Sequence, residues 1–288
     1  MSLSILFYSS CTDRVDGDDV QVVDSEIWVS SIVNNNDPVK IFIGSTSGLG
    51  SGDIAEYRDD AKVEIYINPG SNEEPLVFDY YEDNTILSGG YYNYYRLTNA
   101  NPGDTLLLRA SIPNSDFKEI QATTVIPNSF SIDSIEKDVT VNTFKELRNV
   151  NLKIYLDSII QNEKEKYFEL LITNFIYYDS DTISGSNSEN KIDPTNNIKL
   201  KSGMRWSENL NSILIDYDKL DSKSIEIGFS VDDNFYKNKI SIELRSVNKE
   251  YYDYFVTLDN GFLNSTNIIN GVGIFSGYSK DIKTIEIK

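Results

Sequence analysis

Residues 60–70, DAKVEIYINPG, decide the fold class. Apolar and polar side chains alternate over residues 61–67, which is the period-2 pattern of a β-strand with one buried face. The Pro-Gly pair that follows is a strong turn signal and ends the strand. A similar run at residues 27–33 places Trp28 on the face opposite its apolar positions. Short alternating runs of this kind recur along most of the chain, so the sequence predicts an all-β protein.

The runs fall into two sets, and each set is typical of a β-sandwich of the immunoglobulin or fibronectin kind. We place the first domain at residues 22–127 and the second at residues 128–288, with the boundary at Pro127. Residues 248–255 break the alternating pattern. We expect one short helix there, near the C-terminus, with Asn248 as its N-cap.

Composition and charge exclude several classes of protein. The 288-residue chain has 26 Lys and Arg against 45 Asp and Glu, a formal net charge of −19. Nucleic-acid backbones need clustered basic side chains, so we expect no nucleic-acid partner. The chain has no histidine and a single cysteine, which excludes a Ser-His-Asp triad, a histidine-ligated zinc and an internal disulfide.

The single cysteine lies in a context typical of a lipid-anchored protein. An apolar run at residues 3–8 is followed by two serines, by Cys11 and then by several aspartates. This is the order at the end of a lipoprotein signal, where the chain is cut before a cysteine that becomes acylated. We therefore expect residues 1–11 to be the signal remnant with Cys11 as lipidation site, and residues 12–21 to be an acidic tether. The alternative is a terminal tail with an incidental buried cysteine.

Four segments together carry a family resemblance. They are DAKVEIYINPG (60–70), YYRLTNANPGDTLLLRASIPNSDFKEIQATTVIP (94–127), FSVDDNFYKNKISIELRSVNKEYYDYFVTL (229–258) and NSTNIINGVGIFSGYS (264–279). In type and order they resemble the Bacteroidetes family of domain of unknown function 4249. The resemblance implies an all-β lipoprotein, lipid-anchored at the periplasmic or cell-surface face of the outer membrane. It also implies an accessory role at a TonB-dependent barrel, and it carries over no catalytic residue.

Tyrosine doublets supply the candidate binding residues. Adjacent residues of a strand face opposite ways, so each doublet is expected to place one ring towards the core and one towards solvent. Exposed tyrosine rings can stack on sugars or anchor a protein partner. We single out Tyr92, Tyr94 and Tyr177 as binding candidates. Ordinary strand composition is the alternative interpretation.

The segment GVGIFSGYS at residues 271–279 adds a fourth candidate, Phe275. Its three glycines, Gly271, Gly273 and Gly277, permit a positive φ or the close approach of another backbone. Two interpretations remain open. The segment is either a tight bend that packs Phe275 into the core or a surface loop that presents Phe275 to a partner.

Acidic residues are plentiful, but their spacing singles out no metal site or catalytic pair. Asp232 and Asp233 are weak candidates for oxygen ligands of Ca²⁺, and a solvated turn is the alternative. Two carboxylates could hydrolyse a glycosidic bond, yet 45 acidic residues leave the pair undefined.

These observations favour a non-enzymatic outer-membrane lipoprotein without a cofactor. Its expected role is that of an accessory or binding component of a TonB-dependent transporter. A self-standing glycan- or ligand-binding module is the first alternative, and a carboxylate-based hydrolase is the second.

Overall fold

The computed structural model describes residues 25–35, 37–46, 56–71, 74–81, 92–142, 147–157, 166–175, 189–191, 200–232, 239–262 and 265–287. Within these ranges the chain forms strands, one α-helix and a short 3-10 turn at Tyr217–Lys219. The prediction of an all-β sandwich fold with a short helix near the C-terminus is confirmed. The expected signal remnant 1–11, with Cys11, and the tether 12–21 lie outside the described residues.

The first part of the chain contributes eight described strands. They are β1 (Ile27–Val33), β2 (Val39–Ser45), β3 (Glu56–Tyr57), β4 (Lys62–Ile67), β5 (Leu76–Tyr80), β6 (Tyr94–Arg96), β7 (Thr105–Ser111) and β8 (Ile120–Val125).

The rest of the chain contributes the helix and ten further described strands. They are β9 (Ile132–Asn142), β10 (Leu147–Leu156), β11 (Tyr167–Phe175), β12 (Glu189–Lys191), β13 (Met204–Ser207), β14 (Ser212–Asp216), β15 (Ser224–Asp232), β16 (Lys239–Val247), α1 (Lys249–Asp259), β17 (Ile268–Ile269) and β18 (Val272–Glu286).

Strand β4 is the strand that the opening segment predicts. Val63 and Ile65 point inward and are buried, because alternate residues of a strand face opposite sides. The same alternation buries Ile27 and Val29 of β1 and leaves Trp28 outside, 38% exposed, as predicted. The strands of this half follow the order β1-β2-β6-β5-β4-β7-β8-β17 around one apolar core.

The second half is a sandwich of two sheets. One layer is the β13-β14-β11-β16-β18 end of a 15-stranded sheet that continues into the first half, and the other is a separate sheet with the order β15-β10-β9. Their inner faces pack Leu152, Phe168, Ile227 and Ile242 into a second core. Burial of these side chains stabilises the sandwich by about 1.5–3 kcal/mol for each one.

Strand β18 joins the two halves. Its first residues, Val272 to Gly277, run parallel to β1, and residues from Tyr278 to Glu286 pair antiparallel with β16. The strand begins at Val272, so residues 272–279 form neither a tight bend nor a surface loop, although Phe275 packs into the core as one of the two interpretations expected. The division at Pro127 stays a prediction, but Ile268 and Phe275 belong to the core of the first half.

Close backbone approach explains the glycines of this strand. Gly273 has φ +115°, and a Cβ there would lie 1.9 Å from the carbonyl oxygen of Val29 on β1. A Cβ on Gly277 would lie 2.9 Å from the carbonyl oxygen of Val125 on β8. Both glycines therefore let β18 fit between β1 and β8, as the glycine pattern indicated.

Helix α1 covers the junction between the two halves. Tyr251, Tyr254 and Phe255 pack in a third apolar cluster with Ile274 and Tyr278 of β18. The helix begins after Asn248, so the predicted N-cap position is confirmed. The Asn248 side chain makes no capping bond. It donates instead to Thr124 Oγ1 of β8 at 2.7 Å, which links the helix to the first half.

Candidate functional site

The outer surface of the first half, around β2 and β6, carries a group of partly exposed aromatic rings, which we call the aromatic face. Its members are Trp28, Phe42, Tyr57, Tyr81, Tyr92 and Tyr95. Strand alternation produces it. On β2, Ile41 and Ile43 point into the core, so Lys40 and Phe42 point outward.

At one end of the aromatic face the rings meet edge to face. The Phe42 centroid lies 6.3 Å from that of Trp28 and 5.5 Å from that of Tyr57, and both interplanar angles are 79°. Aromatic pairs in such T-shaped arrangements are favourable by about 0.5–1.5 kcal/mol beyond their buried area. Tyr57 is 58% exposed, so this end remains accessible to solvent.

At the other end lies a tyrosine cluster, formed by Tyr81, Tyr92 and Tyr95. The three centroids are 5.8 to 6.1 Å apart, and the rings of Tyr81 and Tyr92 are within 7° of parallel. Lys40 Nζ lies 4.6 Å from the centroid of Tyr92, a cation–π contact. Tyr81 is 47% exposed and Tyr95 is 37% exposed.

Strand register places charged groups on both sides of Tyr95. It is paired with Lys40 on β2 and with Asp79 on β5, so the three side chains form a row across adjacent strands. Paired side chains of neighbouring strands point to the same face and lie about 5 Å apart. Lys40, Tyr95 and Asp79 are all exposed. The row therefore places an ammonium group, an aromatic ring and a carboxylate side by side on one solvent-exposed face.

A buried amide fixes the backbone of the tyrosine cluster. Asn93 Oδ1 accepts from the Ile43 N–H at 2.8 Å, and Asn93 Nδ2 donates to the carbonyl oxygens of Ile43 and Arg58. The Tyr81 N–H donates to the Asn93 carbonyl at 2.8 Å. Because Asn93 is bonded to these neighbours, Tyr92 and Tyr81 are held next to each other on the outer face.

Tyr94 is a core residue, so it is not available as a surface binding residue. It is 1% exposed, its hydroxyl accepts from the Ala61 N–H at 2.9 Å and it donates to the Arg58 carbonyl at 3.0 Å. Burial raises the pKa of Tyr94 to about 12. The exposed member of this doublet is Tyr95, and the expectation of one ring inward and one outward holds here.

The other candidates do not join the aromatic face. Phe275 is fully buried in the first core, which agrees with the core interpretation and not with the surface-loop interpretation. The backbone of Asp232 ends β15, opposite Leu147 of β10. Tyr177 and Asp233, like Cys11, lie outside the described residues.

A second polar constellation lies inside the molecule, around the carboxylate of Glu169. Glu169 is 1% exposed; it accepts from Ser212 Oγ at 2.7 Å, from Tyr251 Oη at 2.8 Å and from Arg245 at 3.0 Å. The guanidinium of Arg245 also donates to Glu243 at 2.6 Å. Both Glu169 oxygens have donors, so the arrangement is a satisfied structural network.

The protonation behaviour of this network follows from its burial. Burial alone would lower the pKa of Arg245, but the carboxylates of Glu169 and Glu243 raise it above its ordinary value. Burial, with the nearby Glu169 carboxylate, raises the pKa of Tyr251 well above 10.0. Arg245 therefore stays charged and Tyr251 stays neutral over the whole physiological range.

An open groove of about 780 Å³ lies on another side of the first half. It is lined by Ser25, Glu26, Ile27, Asp116, Phe117, Lys118, Asn270 and Gly271. Its charged groups have mixed sign and its walls are mostly polar, so it lacks the apolar lining typical of small-molecule pockets.

Two features are absent from the part of the chain that the structure describes. No group of three or more cysteine, aspartate or glutamate side chains there is placed to hold a metal ion. No helix there is long and apolar enough to cross a membrane.

Fold and site together define an all-β sandwich protein with partly exposed aromatic rings on one sheet face. The chain belongs to the family described as domain of unknown function (DUF4249), whose model matches residues 16–284. This match confirms the family resemblance seen in the four sequence segments. No curated protein matches the chain.

Proposed function

We propose that this protein is a non-enzymatic outer-membrane lipoprotein that serves as the binding component of a TonB-dependent transporter. In this proposal Cys11 carries the lipid, the acidic residues after it form a tether and the aromatic face makes the binding contact. The described chain starts at Ser25, just before β1, which carries Trp28 of the aromatic face. Fully extended, the residues between Cys11 and β1 would reach at most about 54 Å.

The single observation that supports a binding function is the aromatic face. Scattered exposed apolar side chains are common, but contiguous apolar patches usually mark interaction sites. Tyrosine and tryptophan are the side chains most enriched among the residues that dominate binding energy. Strand register fixes the positions of Trp28, Phe42, Tyr57 and Tyr95, and Tyr81 and Tyr92 flank β5 and β6, so little conformational entropy is lost on binding.

The proposed anchor is tested by replacing Cys11→Ser in the full chain and fractionating the cells. An acyl chain contributes about 0.8 kcal/mol per buried CH₂, so its loss is expected to move the protein to the soluble fraction. Unchanged retention in the membrane fraction would refute the anchor at Cys11.

The proposed partner is tested by purifying the tagged protein from detergent-solubilised outer membranes. We expect a TonB-dependent barrel in near-stoichiometric amount, and we expect Tyr81→Ala with Tyr95→Ala to reduce its yield. Elution without a barrel would count against the transporter role. It would favour the alternative of a self-standing surface binder, which the exposed aromatic face supports equally well.

A further inference from the structure

We propose that the tyrosine cluster, with the Lys40–Tyr95–Asp79 row, is a binding subsite for an uncharged saccharide. This proposal names the ligand of the aromatic face and rests on the binding function proposed above. It is carried by the register of three strands, which sets an aromatic ring between an amine donor and a carboxylate acceptor.

The chemistry of the row matches the chemistry of a sugar ring. A pyranose has C–H groups on its faces and hydroxyl groups around its rim. The C–H groups carry partial positive charge and suit the negative face of an aromatic ring. A sugar over Tyr95 would direct rim hydroxyls towards Lys40 on one side and Asp79 on the other, each about 5 Å away across the sheet. Lys40 can only donate hydrogen bonds, and the carboxylate of Asp79 can only accept them.

The neighbouring rings extend this subsite. Tyr81 and Tyr92 lie within 6.1 Å of Tyr95, centroid to centroid, and Tyr81 is 47% exposed. The rings of Phe42 and Tyr57 continue the aromatic face along β2 towards Gly44. Lys40 and Gly44 are four residues apart on one strand, which is about 13 Å. The aromatic face is therefore long enough for an oligosaccharide, whereas a single sugar would occupy only one end.

Charge selects an uncharged ligand over an anionic one. The formal net charge of the chain is −19, so an acidic polymer meets a repulsive field as it approaches. Within the row, the charges of Lys40 and Asp79 cancel, so no local positive charge compensates that repulsion. A neutral, hydroxyl-rich ligand experiences no repulsion and can use both charged groups for strong hydrogen bonds.

Native gel electrophoresis in gels cast with a dissolved polysaccharide tests the proposal, since the acidic protein migrates readily. The neutral probes are hydroxyethyl cellulose, glucomannan, arabinoxylan and amylopectin, and the anionic probe is polygalacturonate. We expect at least one neutral probe to retard the wild-type protein, and we expect no retardation by polygalacturonate. Retardation by none of the neutral probes, or preferential retardation by polygalacturonate, overturns the proposal.

Variants locate the subsite. Tyr95→Ala removes the central ring and is expected to weaken binding about tenfold or more, while Tyr95→Phe keeps the ring and is expected to retain most of it. Asp79→Asn keeps the side-chain shape and is expected to weaken binding severalfold. Phe262→Ala is the matched control, because Phe262 is 61% exposed and lies beyond α1, outside the aromatic face. Unchanged retardation of Tyr95→Ala overturns the proposal.

The saccharide subsite and the transporter role can be refuted separately. If no saccharide binds but a barrel still co-purifies and is lost in Tyr95→Ala, the aromatic face is a protein interface, and the saccharide proposal alone is overturned. If a saccharide binds through Tyr95 but no barrel co-purifies, the saccharide proposal stands and the transporter role is overturned. Circular dichroism and thermal unfolding of each variant exclude loss of fold as the cause.

Discussion

At the scale of single residues, the doublet of Tyr94 and Tyr95 shows what decides burial. The alternation of a strand predicts that one ring is inside and the other outside. Strand β6 has only three residues, and both residues of the doublet are tyrosine, so the sequence contains no local signal for which ring is which. The pairing of Tyr94 with Ile41 and of Tyr95 with Lys40 decides it, because Ile41 belongs to the core.

Tyr94→Phe should destabilise the protein through two buried hydrogen bonds. The change leaves the Ala61 N–H without the Tyr94 hydroxyl, and an unpaired buried group costs about 1–3 kcal/mol, whereas the Arg58 carbonyl keeps its hydrogen bond from Asn93 Nδ2. Urea unfolding at pH 7 measures the free energy of unfolding. Tyr95→Phe is the control and should change that free energy by less than about 0.5 kcal/mol. Equal effects of the two variants would contradict the assignment of Tyr94 to the core.

The buried tyrosines also predict a loss of stability in alkali. Burial raises the pKa of Tyr94 to about 12, above the ordinary value of 10.0 that applies in the unfolded chain. As pH rises through 10, the unfolded state loses the proton first, so stability is full below pH 10 and falls between pH 10 and about 12. Burial raises the pKa values of Tyr254 and Tyr278 in the same direction. Thermal unfolding at pH 8 to 11.5 should show the fall, and Tyr94→Phe should make it shallower.

Gly273→Ala should be far more damaging than Gly70→Ala. Both glycines have a positive φ, +115° and +106°, so both substitutions strain the backbone, by about 1–2 kcal/mol. The new Cβ on residue 273 would lie 1.9 Å from the Val29 carbonyl oxygen, whereas a Cβ on residue 70 would meet no atom within 4 Å. We expect Gly273→Ala to lose more than about 3 kcal/mol of unfolding free energy or to fail to fold. Similar costs for the two variants would show that β1 and β18 are not packed so closely.

At the scale of elements, strand β18 shows the limit of local sequence patterns. Its glycines and the apolar residues Ile274 and Phe275 both signal contact with other parts of the chain. They do not distinguish a bend from a strand, because the close approach that requires glycine comes from β1 and β8, far away in sequence. The helix α1 was predictable, because its departure from period 2 is a local property of residues 248–255.

The network around Glu169 predicts a strong effect of removing its cation. Arg245→Met leaves the buried Glu169 carboxylate without its counter-charge, and breaking a buried ion pair in this way costs about 3–5 kcal/mol. Lys249→Met is the matched control on the neighbouring helix, since its pair with Asp253 is exposed and should cost less than about 1 kcal/mol. Chemical unfolding of both variants gives the comparison. A small effect of Arg245→Met would mean that solvent reaches Glu169.

At the scale of the whole molecule, the C-terminal part of the chain contributes Ile268 and Phe275 to the core of the first half. Period-2 runs predicted the all-β class and the two sandwich-like halves, because the alternation within each run shows which face of that strand is buried. They could not show that β17 and β18 pack with the first half, because the period-2 pattern of a strand does not indicate which distant strand pairs with it. The tyrosine cluster was predictable in kind, from tyrosine doublets, but the full aromatic face depended on the registers of β1, β2, β3 and β6 and on the residues that flank β5 and β6.

The shared strand predicts that residues 22–127 do not fold when expressed alone. Without β18, the β1 edge loses its parallel partner, and the first core loses Ile268 and Phe275. Burial of two such side chains is worth about 3–6 kcal/mol, comparable with the whole stability of a small domain. Circular dichroism should show little cooperative unfolding for the fragment 22–127. Adding a peptide of residues 265–288 should make the unfolding of this fragment more cooperative. Cooperative unfolding of the fragment by itself would show that residues 22–127 form an independent domain.

We propose that the aromatic face is the binding surface of this protein in the cell. Hydroxyl-radical footprinting tests it by comparing side-chain oxidation in the purified protein with oxidation in intact cells. We predict that Trp28, Tyr57, Tyr81 and Tyr95 are protected in cells by several-fold, while the exposed Phe262 reacts equally in both samples. Equal oxidation of the aromatic face in both samples would contradict the claim.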